Sequence, residues 1–133
     1  MKYIVLFCFM LCSSCELFRI GSGASGIVNP TQETSIGTIY LLKAELDSGN
    51  IIGASDLFVH PNGKQMKAKE RFEIFPQLGK IAHTIRNKDI AYFQTDTLLP
   101  TKHAIICSFN YLNTVTFTVQ KSQDSWFISD VKE

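Results

Sequence analysis

From Asp89 onward the chain alternates apolar and polar residues, and this period of two limits its fold more than any other feature. Residues 114–120, TVTFTVQ, are the clearest case: Val115, Phe117 and Val119 face one way, Thr114, Thr116, Thr118 and Gln120 the other. Residues 89–97, 102–111 and 126–131 repeat the pattern, and the turns between them are too short to hold crossover helices. Four strands joined in this way pair with their sequence neighbours in antiparallel fashion and leave one apolar face. Such a face needs a second layer to cover it.

The residues before Asp89 supply that layer. Asn29-Pro30-Thr31-Gln32 reads as a helix start, with an N-cap, a proline at the first helical position and a Gln three residues after the cap. Ile36, Ile39, Leu42 and Leu46 then recur at helical spacing, and Asp47-Ser48-Gly49-Asn50 ends the helix. A short helix is expected over 51–58, capped by Asn50, followed by a turn at His60-Pro61-Asn62-Gly63. A third is expected over 67–86, with Phe72, Phe75, Leu78, Ile81, Ala82 and Ile85 near one face. Pro76 interrupts it, removing a backbone donor, so a kink or a junction of two helices is expected there. The fold class is therefore α+β: three N-terminal helices packed on a curved four-stranded antiparallel sheet, in one domain over 30–133. Seven of the chain's ten Phe residues fall in this domain and provide apolar area for its core.

The first residues have the layout of a secretory leader. Lys2 precedes an uninterrupted apolar run over 3–11, which is too short to span a bilayer, where ~20 residues are needed. Cys8 and Cys12 then fall within a leader, 1–14, that is removed. Leu11-Cys12-Ser13-Ser14-Cys15 resembles a bacterial lipobox, in which small residues precede a cysteine that is acylated and becomes the new N-terminus. Cys12 stands where that motif usually has Leu, Val or Ile. The resemblance implies a lipid-attachment site at Cys15, a palmitate-bearing membrane anchor and a cell-envelope location. Glu16, rather than Asp, favours the outer over the inner membrane by analogy with enterobacterial sorting. The competing reading is an ordinary secretory cut that leaves Cys15 free to pair with Cys107. Gly21, Ser22, Gly23, Ser25 and Gly26 mark 15–29 as a flexible linker.

Lys and Arg number 13 and Asp and Glu 12, and loss of Lys2 with the leader balances them, so charge makes no case for nucleic acid. No His or Cys pair follows at zinc-ligand spacing, and neither a metal nor another cofactor is expected.

The helix end Leu46-Asp47-Ser48-Gly49-Asn50, the short helix after it, and the closing run Asp124-Ser125-Trp126-Phe127-Ile128-Ser129-Asp130-Val131 are similar to the nuclear-transport-factor-2-like (cystatin-like) superfamily. Within it, the chain looks like the small bacterial lipoproteins. The likeness covers 30–132. It implies a sheet wrapped around a conical pocket that opens beside the helices, and members that pair through the outer sheet face. Enzymes of the superfamily place a His–Asp pair, or Tyr and Asp, in that pocket.

On this reading the residues expected to line the pocket are His103, Tyr92, Tyr111, Phe117 and Asp56. His103 shares a strand face with Ile105, Cys107 and Phe109 and suits a general base, with Asp96 able to sit across the hairpin. Asp56 stands where some relatives direct a carboxylate inward. The ionisable residues otherwise cluster at turns and strand ends. The favoured function is thus a non-catalytic module that binds a small apolar ligand or an envelope protein in an apolar pocket. The alternatives are an isomerase-, dehydratase- or cyclase-like enzyme using His103 or Asp56, and an adaptor that forms a homodimer through the outer face at Thr114, Thr116 and Thr118.

Overall fold

The strands and helices fall in two blocks, which a computed structural model describes for residues 27–133. The leader, Cys15 and most of the linker lie outside the described residues. Along the chain come α1 (Ser35–Asp47), α2 (Ile51–Ser55), α3 (Ala68–Glu73) and α4 (Phe75–Ile85). Then follow β1 (Ile90–Leu99), β2 (Lys102–Phe109), β3 (Asn113–Ser122) and β4 (Ser125–Lys132). The strands form one antiparallel sheet in the order β1-β2-β3-β4. Register shifts at Ile90/Tyr92, Thr97/Leu99 and Thr118/Val119 bend β1 and β4, as bulges do.

The alternation places its apolar set inward as expected. Ile105 pairs with Phe117 and Cys107 with Val115, and these four have no exposure. Phe109, Val119 and Ile128 complete the dry face, against which Ile39, Leu42 and Leu46 of α1 and Leu78, Ile81 and Ile85 of α4 pack. One further contact ties the layers together. Phe58 forms a parallel bridge with Ile128, in which Ile128 N–H donates to Leu57 O and Val59 N–H to Ile128 O.

Three helical details differ from the expectation. Helix α1 starts at Ser35 with Thr34 as its cap, whose hydroxyl accepts from Gly37 N–H, rather than at Asn29-Pro30. Gln32 is engaged elsewhere: its carbonyl accepts from Trp126 N–H at 2.9 Å and its side chain donates to Trp126 O at 2.8 Å. A tertiary pairing thus outweighs the local capping signal. The lead-in folds so closely over α1 that a Cβ on Gly37 would lie 2.5 Å from Thr31 O, so only glycine fits there. Second, α2 stops at Ser55, because residues 57–59 leave the helix to pair with β4. Third, of the kink or junction expected near Pro76 the structure has the junction, so the described residues hold four helices and not three. Pro76 sits in the first turn of α4, where its missing N–H leaves no bond unmade, and Ile74 separates the pair. Phe72, expected on the buried face, is exposed and rests against Phe75 with ring centroids 5.1 Å apart.

Two hairpins turn through residues with positive φ at both central positions, Asn110-Tyr111 (49° and 60°) and Gln123-Asp124 (51° and 65°). This is the type I′ backbone that matches strand twist. Tyr111 therefore belongs to a turn and not to β2, where it was expected.

Two stability outcomes follow. Phe117→Ala should cost ~3–5 kcal/mol by urea unfolding through lost transfer energy and a residual cavity. Thr116→Ala on the outer face should change stability by ~0.5 kcal/mol or less, and the reverse order would place the strand out of register by one residue. Tyr111→Gly should stabilise. Removing a left-handed non-glycine relieves ~1–2 kcal/mol, while the added backbone freedom of glycine costs ~0.5–1 kcal/mol. A net gain of ~0.5–1 kcal/mol in the same assay is expected, and a loss would mean that the Tyr111 ring makes a contact the turn depends on.

Candidate functional site

Chemistry-bearing side chains gather where the lead-in to α1 meets β4. Trp126, only 6% exposed, is held through its backbone by Gln32. The His103 ring lies over its indole with centroids 4.4 Å apart, tilted by 35°. His103 pairs across the sheet with Val119 and so faces inward, as its strand position predicts. Its Nδ1 shares a 2.8 Å hydrogen bond with Ser35 Oγ, the donor being set by the tautomer. Ser35 is buried at the first position of α1. Thr38, fully buried, donates to Thr34 O and lies 3.4 Å from Trp126 O.

A hydroxyl beside an imidazole is the core of a nucleophile–base pair, but such a pair also needs a third group to orient the base. Asp96 does not provide it. It pairs with Ala104 on the outer face and accepts from Gln94 Nε2 at 3.0 Å. Among the described residues, His60 is the only histidine within 4 Å of a carboxylate, its Nε2 lying 3.1 Å from Glu70. That contact belongs to the start of α3, where Lys67 N–H donates to the same carboxylate. The Lys67 N–H bond chiefly, and then His60, holds the Glu70 carboxyl below its usual range. The His103 cluster thus ties α1 to β2 through Ser35 and to β4 through Thr38 and Trp126.

The remaining expected residues do not converge. Phe117 is fully buried at the centre of the dry face, with no exposure to a ligand. Tyr92 pairs with Ser108 and lies on the outer face, 38% exposed. Tyr111 is 82% exposed at the β2–β3 turn. Asp56, at the end of α2, is bound by Arg71 Nη1 at 2.6 Å. Only His103 and Phe117 share a face.

A groove lies elsewhere. It is an open depression of ≈ 420 Å³ between α2 and α4, lined by Ile51, Gly79, Ala82, His83, Arg86 and Asn87. Gly79 lies on its open floor, where a Cβ would meet no atom within 4 Å. Ile51, Gly79 and Ala82 make it apolar, and His83, Arg86 and Asn87 give it polar groups. Sequence reasoning missed it because the groove is built from two helices that touch only through the fold. The available signal was Gly79 with Ala82, two small residues three apart and so on one face of a helix. No group of three or more His, Cys, Asp or Glu capable of holding a metal occurs among the described residues.

Compared with known proteins, the chain matches no protein-family model, no curated protein and no solved structure.

Two groups near the dry face have altered acidity. Burial raises the Tyr40 phenol, with the Cys107 thiol beside it adding to the shift. Burial also pushes Cys107 up to about 12. The folded state therefore holds the thiol proton more tightly than the unfolded chain. This contribution to stability is present below pH about 9 and lost as the pH rises towards about 12. Iodoacetamide at pH 8 should leave Cys107 unmodified in the folded protein and alkylate it fully in urea, as read by mass spectrometry. Modification of the folded protein at the rate of a free thiol would contradict the burial.

Proposed function

We propose that this chain is a cell-envelope protein anchored by acyl chains on Cys15, carrying a non-catalytic binding module of the nuclear-transport-factor-2-like (cystatin-like) architecture. The observation that carries the reading is the order of Lys2, the apolar run over 3–11, and Ser13-Ser14-Cys15. Several features of the domain support the module. Its helices cover one face of a bent meander, and the segment after α2 adds to the closing strand at Phe58 and Ile128. Cys107 is a free, buried thiol, which suits a Cys15 committed to lipid and not to a disulfide. The α2–α4 groove provides an apolar floor with Arg86 and His83 beside it, enough to hold a small apolar ligand with a polar end or a side chain of an envelope partner. Glu16 favours the outer membrane as the destination.

The 2.8 Å contact between His103 and Ser35 favours a second reading, an enzyme of the same fold. It is weaker because that contact serves to hold α1 on β2, and Asp56, the other candidate, is paired with Arg71.

Cells expressing the full chain should incorporate labelled palmitate and retain the protein in the membrane fraction. Cys15→Ala should abolish the label and release the protein. A wild-type protein that is soluble and unlabelled, with a Cys15–Cys107 bond, would overturn the reading.

A further inference from the structure

A row of backbone hydrogen bonds crosses one end of the sheet. Gln32 O accepts from Trp126 N–H, Trp126 pairs with Lys121, and Lys121 N–H donates to Thr101 O at 2.8 Å. The chain therefore enters the domain at the same end of the sheet as the β1–β2 turn. That turn presents Leu98 and Leu99, 55% and 57% exposed, immediately before Pro100. Ile27, on the entering segment, is 98% exposed. The end is apolar at its tip.

We propose that this end of the sheet faces the bilayer and that Leu98 and Leu99 enter the lipid when the chain is anchored. The inference rests on the reading of Cys15 as the lipid-bearing residue. Sixteen residues lie between Cys15 and Gln32, a connection of at most about 60 Å. The fold has a second apolar tip, Tyr111 and Leu112, 82% and 86% exposed, at the opposite end of the strands. Ten residues of β1 place that tip about 33 Å farther from where the chain enters. Directing it at the membrane would require the connection to run back along the whole sheet. Directing Leu98 and Leu99 there requires no such path. Exposed apolar side chains beside an anchor point gain by leaving water for the acyl boundary.

The test uses the full-length acylated protein, reconstituted in phosphatidylcholine vesicles, with a nitroxide on Leu98→Cys or on Leu112→Cys. Cys107 is fully buried and does not compete for the label. Electron paramagnetic resonance should show the label at 98 gaining access to oxygen and losing access to a water-soluble nickel chelate. The label at 112 should remain open to the chelate. Two aqueous labels on a protein whose N-terminal peptide carries lipid by mass spectrometry would overturn the orientation and leave the anchor standing. A lipid-embedded label at 112 with an aqueous one at 98 would show the domain reversed. An N-terminal peptide without lipid would overturn both proposals, and the mass spectrum distinguishes that failure from the other two.

Discussion

The structure depends on the need to cover one dry sheet face. Ile105, Cys107, Phe109, Val115, Phe117, Val119 and Ile128 together remove from water far more apolar area than any polar contact in the molecule could stabilise. A meander can bury one such face only against another layer, and the apolar residues of α1 and α4 supply it. Everything else follows from holding those helices in place. The Gln32–Trp126 pairing and the Thr34 cap hold the start of α1, and the parallel contact of residues 57–59 with Ile128 holds the segment after α2.

Most of this was legible because it has a period. The strands and the stripe of α1 repeat at two and at three or four residues, so the inward set from Ile105 to Ile128 could be read before any contact was known. What could not be read was pairing between distant residues. Asn29-Pro30 carries a sound local helix signal, yet it loses to Gln32, whose bonds go to a residue 94 positions away. Phe72 has the right spacing for burial but lies in a short helix that does not reach the core. Tyr111 looks like a strand residue, and its positive φ arises from the demand of a two-residue turn.

The site was less legible than the fold, for a physical reason. His103 was correctly placed on the inner face, but an inner face can be filled as well as hollow, and alternation cannot distinguish the two. Here the helices fill the centre around Phe117, and the open volume lies between α2 and α4. The polar residues that do meet on the inner side are used to fasten secondary structure together. Every buried polar side-chain atom among the described residues has a partner.

The Gln32–Trp126 pairing also sets an order of events. Each hairpin closes between neighbours, at small entropic cost, whereas this contact must close a loop spanning nearly the whole described chain. The first residues of the domain therefore cannot be fastened until its last hairpin exists. As the chain is synthesised from its N-terminus, α1 is made first and waits, its apolar stripe bare, until Trp126 has emerged. Such a domain stays unfinished for most of its own synthesis, and its exposure to chaperones and proteases is greatest before the final strand appears.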